Sequence, residues 1–197
     1  MNRALVIFCI VVGLLGFSAV FAQEKGQSPE DMQKMMAEWQ KWSTPGAEHQ
    51  VLAKLAGDWK VHSKWWMSPD AQPMESDEGQ KAELMWDGRY LKFETTGDMM
   101  GQPMHGLGFL GYDKFKGKYN MFWIDNSGTA MYTALGTADP TGKEITLTGS
   151  VDDPMTGEKN KEAKYVYHIN DDGSVTFDIW DTKDGKSYKS AEMHLTK

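Results

Sequence analysis

"GKEITLTGSVDDPMTGEKNKEAKYVYHINDDGSVTFDIWDTKDGK" (residues 142–186) decides the architecture of this chain. Inside it, ITLTGSV (145–151), KYVYHI (164–169) and VTFDIW (175–180) alternate with period two and are rich in β-branched and aromatic residues, the signature of strands. Between and after them, DPMTGE (153–158), NDDGS (170–174) and KDGK (183–186) set Asp, Asn or Pro shortly before a glycine, which is hairpin-turn chemistry. The intervals are too short for a crossover helix, so these strands run antiparallel to their neighbours.

The same texture reaches back to Gly57. WDGR (86–89), DKFKGK (113–118), DNSG (125–128) and DPTGK (139–143) are further turns. About ten strands are predicted, starting near Gly57, Gln80, Tyr90, Gln102, Lys118, Thr129, Glu144, Lys161, Ser174 and Lys186. Ten sequential antiparallel strands without intervening helices leave two open edges, and closure into an up-and-down barrel removes both. A two-sheet sandwich is the alternative; hairpin connections throughout favour the all-β barrel.

Upstream of Gly57 the pattern is helical. Ser28 is a natural N-cap, Pro29 suits the first helical position, and Glu30 and Asp31 complement the helix dipole. Met32, Met35, Met36, Trp39 and Trp42 follow at helical spacing as one apolar stripe. STPG (43–46) breaks this amphipathic helix, and a second helical turn is predicted over Ala47 to Leu55 with Leu52 and Leu55 inward. Two roles are open to the Met/Trp helix: packing on the barrel, or acting as a lid over a cavity.

Residues 1–22 read as a secretory signal. Arg3 gives a positive start, Ala4 to Phe17 are apolar, and Val20-Phe21-Ala22 has cleavage-site spacing, with cleavage expected after Ala22. An uncleaved membrane anchor is the rival, because the apolar run approaches spanning length. Three segments follow: signal peptide (1–22), helix and linker (23–46), and β-barrel domain (47–197). The expected location is periplasmic or extracellular, with no membrane span after cleavage. Cys9, the only cysteine, falls inside the signal, so the mature chain has no disulfide, thiolate metal site or cysteine nucleophile. The whole chain carries 21 basic and 28 acidic residues, a net charge of −7. Nucleic-acid binding needs clustered Lys and Arg and is excluded as a class; Arg89 is the only arginine outside the signal.

HQVLAKLAGDW (49–59), with His49, Leu52, Leu55, Gly57 and Trp59, resembles the opening of the DUF1579 family, exported bacterial proteins of undefined function. GQPMHGLGFLGYD (101–113), YNMFWIDNSGTAM (119–131) and GKEITLTG (142–149) extend the resemblance over nearly the whole chain from Ala47. In the second stretch an aromatic–acidic pair usually follows the proline, where this chain has Met104-His105. The family implies no mechanism. Gly57-x-Trp59 also resembles lipocalins and other calycins, in which the tryptophan closes one barrel end, often against a basic side chain of the last strand. Here the last strand (186–197) has lysines and no arginine, so the likeness is one of architecture.

Three chemistries suggest themselves. GDMMGQPMHG (97–106) gathers Met99, Met100, Met104 and His105, soft ligands that suit copper in an exported protein. Strand alternation sends Met104 and His105 to opposite faces, so the stretch reads better as a hairpin loop at a barrel mouth, where Met100 can touch whatever enters. Haem could be held by one histidine, and His168 and His194 lie in strands; no axial-ligand motif accompanies them. A small hydrolase or isomerase could use Asp113 or Asp125 beside Tyr112 as a polarising group, although turn capping is the favoured explanation of both aspartates. No catalytic residue, metal or cofactor is assigned. Eight tryptophans and seven tyrosines are generous for a domain this small; filling the barrel explains most of them, yet such barrels often keep a cavity for one ligand. The function expected is binding of a small, largely apolar molecule, with Trp59, Trp86, Met100, His105, Tyr112, Trp123, Asp125, Tyr132 and Tyr165 as the ligand-binding set.

Overall fold

The structure, a computed structural model, describes residues 28–99, 101–183 and 185–197. The expected signal segment and Met100 lie outside the described residues. The chain divides into two units, residues 1–43 and 44–197. In the first, helix α1 (Pro29–Ser43) starts where the sequence predicts. Ser28 and Asp31 cap it reciprocally: Asp31 N donates to Ser28 Oγ at 3.1 Å, and Ser28 Oγ and N donate back to the Asp31 carboxylate at 2.8 and 3.2 Å. Those bonds hold the Asp31 carboxyl below its ordinary range. Trp39 and Trp42 meet at 4.9 Å along its apolar stripe.

The second unit opens with helix α2 (Ala47–Leu55) and continues as ten strands. They are β1 (Gly57–Trp65), β2 (Met74–Met85), β3 (Tyr90–Met99), β4 (Gln102–Asp113), β5 (Lys118–Asp125), β6 (Tyr132–Ala138), β7 (Glu144–Val151), β8 (Lys161–Ile169), β9 (Val175–Lys183) and β10 (Lys186–Thr196). Each pairs antiparallel with its sequence neighbours, and β1 pairs with β10 from Lys60↔Thr196 to Trp65↔Ala191. The sheet is therefore a closed up-and-down barrel with no edge. The sandwich alternative does not form. β2 begins six residues before the predicted Gln80, and β6 three residues after Thr129.

Register fixes what points inward. Trp59, Val61 and Ser63 are buried on β1, while Asp58, Lys60 and His62 between them are exposed, the period-two alternation of a half-buried strand. Gly136 and Gly149 let the backbones of β6 and β7 approach closely: a Cβ at Gly136 would lie 1.8 Å from the Thr146 carbonyl oxygen, and one at Gly149 2.3 Å from that of Thr133. Any larger residue there would push the backbones apart. Among the described residues no helix is long and apolar enough to cross a membrane.

Candidate functional site

The two barrel ends differ because α2 covers one of them. His49, Leu52 and Leu55 are its buried residues, and Leu52 and Leu55 join the core with Leu110, Ile145, Leu147 and Val175, none more than 4% exposed. His49 Nδ1 accepts a hydrogen bond from Gly46 N at 3.0 Å, closing the helix N-terminus. Burial lowers the pKa of this imidazole, since the neutral ring is the form that fits an enclosed acceptor site. Trp59 Nε1 donates to Leu55 O at 3.0 Å, and Lys197 Nζ lies 4.6 Å over the Trp59 ring. Trp59 thus closes this end of the barrel, tied to α2 on one side and with the Lys197 ammonium against its ring. Tyr119 Oη donates to Glu48 O at 2.9 Å, and Tyr112 packs edge-on to both Tyr119 and His49. Those residues form a plug.

Beyond the plug, toward the opposite end, the barrel keeps a cavity of about 310 Å³, within the range of small-molecule sites. One wall is aromatic. Trp123 lies flat on β4, where a Cβ at Gly106 would come within 2.0 Å of its ring and one at Gly108 within 2.3 Å of Phe93. Phe93 and Trp123 stack at 5.8 Å, and Tyr165 stacks on Phe177 at 6.3 Å. Met99, Met104, Met121 and Met193 also line the cavity, flexible and polarisable side chains that adapt to irregular space. The Tyr167 hydroxyl meets Met121 Sδ at 3.8 Å.

The other wall is polar. Glu78 and Gln80 on β2 and Thr95 on β3 line the cavity. Ser63 Oγ and Ser76 Oγ each donate to the Glu78 carboxylate at 2.5 Å, and Thr95 Oγ1 donates to Gln80 Oε1 at 3.1 Å. At the mouth, Trp123 Nε1 donates to Asp125 Oδ2 at 2.8 Å, and Ser127 N and Oγ donate to Asp125 Oδ1. Burial, and then the Asp125 charge, raises the Tyr132 phenol. Burial, and then neighbouring Tyr132, pushes Tyr165 up to about 12. Both phenols are neutral donors at physiological pH.

Of the ligand-binding set expected from sequence, Trp123, Asp125, Tyr132 and Tyr165 meet in this cavity. Trp59 and Tyr112 do not; they belong to the plug, because α2 fills their end of the barrel. Trp86 sits in the exposed β2–β3 turn with φ 48°, edge-on to Tyr90. His105 is exposed on the outer face, in a shallow groove with Thr96 and Asn126. Its backbone N donates to Asn126 Oδ1 at 2.8 Å. Met104, beside it, is buried in the cavity, so alternation separates the two as expected. Residues that sequence reasoning missed are Glu78, Gln80 and Thr95 and the Met121 and Met193 thioethers, all legible only from register.

The three chemistries are placed equally directly. Among the described residues no histidine lines the cavity. His168 faces outward to Glu144 at 3.4 Å and Asp178 at 3.6 Å, and His194 is exposed between inward Met193 and Leu195. No three His, Cys, Asp or Glu side chains among the described residues come together as a metal site. Asp113 caps its turn by accepting from Phe115 N and Lys116 N at 2.9 and 3.1 Å. Tyr112 is in the plug, so the tyrosine beside Asp125 is Tyr132 instead.

The fold is similar to that of Rv2717c from M. tuberculosis, with a TM-score of 0.58 and 19% identity over 78% of this chain and 99% of that one. At that identity the likeness speaks to fold alone. No curated protein matches the chain. DUF1579, described as a protein of unknown function, matches residues 44–197, the barrel unit with its α2 plug, and the chain belongs to that family.

Proposed function

We propose that this chain is an exported carrier that binds one small, largely apolar molecule in its barrel. The observation that carries the reading is the cavity of about 310 Å³ between the α2 plug and the open mouth, walled by Phe93, Trp123, Tyr165, Phe177 and four methionines. A core built only for stability closes such voids, since each costs packing energy. Export rests on the charged, apolar and small-residue regions of residues 1–22.

Native mass spectrometry after gentle purification, with extraction of anything bound, tests the carrier role. A bound small molecule is expected, together with micromolar binding of neutral N-phenylnaphthylamine that quenches Trp123. Met99→Trp, which places a large ring at the mouth, abolishes both. A bare chain mass combined with no response to the probe overturns the reading. Expression of the full chain in a Gram-negative host tests export: the recovered protein begins at Gln23. Recovery only with residues 1–22 attached, in membranes, overturns it.

A further inference from the structure

A barrel that carries a ligand must also select that ligand's charge, and the polar groups of this cavity are one-sided. Two carboxylates line it, Glu78 on β2 and Asp125 at the end of β5. Both are positioned by donors: Ser63 and Ser76 hydroxyls hold Glu78, while the Trp123 indole and Ser127 hold Asp125. Gly97 leaves the space that Glu78 crosses, since a Cβ there would lie 2.4 Å from Glu78 Cγ. Among the described residues neither carboxylate has an ion-pair partner. Lys161 shares the inward face of β8, but Asp181 at 3.0 Å and Asp153 at 3.4 Å hold it, and it does not line the cavity. Burial works against its charge, and hydrogen bonds to Asp181 and Asp153 override burial and raise its pKa.

An apolar cavity with two unneutralised carboxylates discriminates between ligands. An anion brings a third negative charge and no partner for it. A neutral molecule expels water from both carboxylates and returns at most a neutral hydrogen bond, with no compensating charge. A cation neutralises them, and the faces of Trp65, Trp123, Tyr132 and Tyr165 add the attraction of aromatic rings for positive charge. We propose that the cavity selects a protonated amine on a compact apolar body, the ammonium donating to Glu78 and Asp125 and the hydrocarbon lying against Met104, Met121 and Phe177. This rests on the carrier reading above and assigns its ligand class.

Calorimetric titration of the mature chain with phenylbutylamine, phenylbutanol and phenylbutyrate tests it, because the three share one hydrocarbon and differ in charge. The amine is expected to bind at least about tenfold more tightly than the alcohol, with the acid weakest. Glu78→Gln and Asp125→Asn, each checked for a cooperative melt, bring the amine-to-alcohol ratio toward one. Because Glu78 also ties β1 to β2, Asp125→Asn keeps the test decisive if Glu78→Gln does not fold. Binding of the alcohol with no preference for the amine, or preference for the acid, overturns the amine assignment and leaves the carrier reading standing. A preference that survives both substitutions also overturns it. Failure of all three compounds and of neutral N-phenylnaphthylamine, together with a bare chain mass in native mass spectrometry, overturns both.

Discussion

His49 shows how one side chain links pH to the plug. Its Nδ1 accepts from Gly46 N, a bond that protonation destroys, and burial lowers its pKa below the ordinary histidine value. The sign follows from linkage: a base whose folded pKa is depressed contributes stability that is full above its unfolded pKa of about 6.5 and is lost as pH falls from there through the lowered folded pKa. The thermal midpoint of the wild type is therefore expected to drop between about pH 7 and about pH 5 more steeply than that of His49→Gln, whose amide oxygen accepts the same bond without titrating. Parallel slopes in the two proteins would remove His49 as the cause. Gly106 makes the matching point about space. A Cβ there meets the Trp123 ring at 2.0 Å, so Gly106→Ala is expected to cost about 1–3 kcal/mol by urea denaturation and to tilt Trp123 into the cavity. Most of that loss should vanish in a Trp123→Leu background, since the clash has one partner. Alternation made the separation of Met104 from His105 readable from the sequence, but not that Met104 is the one inside, since His105 was the residue expected at the ligand; the reason for two glycines opposite a tryptophan was not readable either, because it lies across strands.

The elements were legible in proportion to how apolar their inward faces are. Helix α2 occupies Ala47–Leu55 as its pattern predicts, and β7 to β9 follow the alternation of Ile145, Leu147, Tyr165, Tyr167, Val175 and Phe177. β2 starts six residues before the sequence predicts because Ser76 and Glu78 occupy its inward positions there, and a strand polar on both faces has no period-two hydrophobic signal. That misfit marks the cavity's polar wall: a local rule is broken where the site requires it. The HQVLAKLAGDW stretch gains a physical explanation at this scale. Leu52 at 0% exposure and Leu55 at 4% form the underside of the plug, and Trp59 bonds back to Leu55 O. Leu52→Ala is expected to destabilise the barrel by about 2–5 kcal/mol, measured by urea denaturation. A loss within about 0.5 kcal/mol, the range of ordinary surface changes, would mean that α2 does not close that end.

At the scale of the molecule, hairpin chemistry at most connections and short links throughout dictate an up-and-down order, and the ten strands close on themselves through β1 and β10. Where the empty space lies inside that barrel was not legible. Trp59 and Tyr112 face inward just as Trp123 and Tyr132 do, and only the position of α2 decides which of them fill a core and which surround a cavity. Plug and cavity both lie within residues 44–197, which contain a complete hydrophobic core and one closed sheet. Such a unit has what independent folding requires. Residues 44–197 produced alone are expected to melt in one cooperative transition and to gain stability from ligand by mass action. At a free ligand concentration about a hundredfold above Kd the gain is about 2.7 kcal/mol, read as a rising thermal midpoint by calorimetry. The same titration on Met99→Trp should leave the midpoint where it was. A midpoint that climbs equally in both proteins would place the binding outside the barrel.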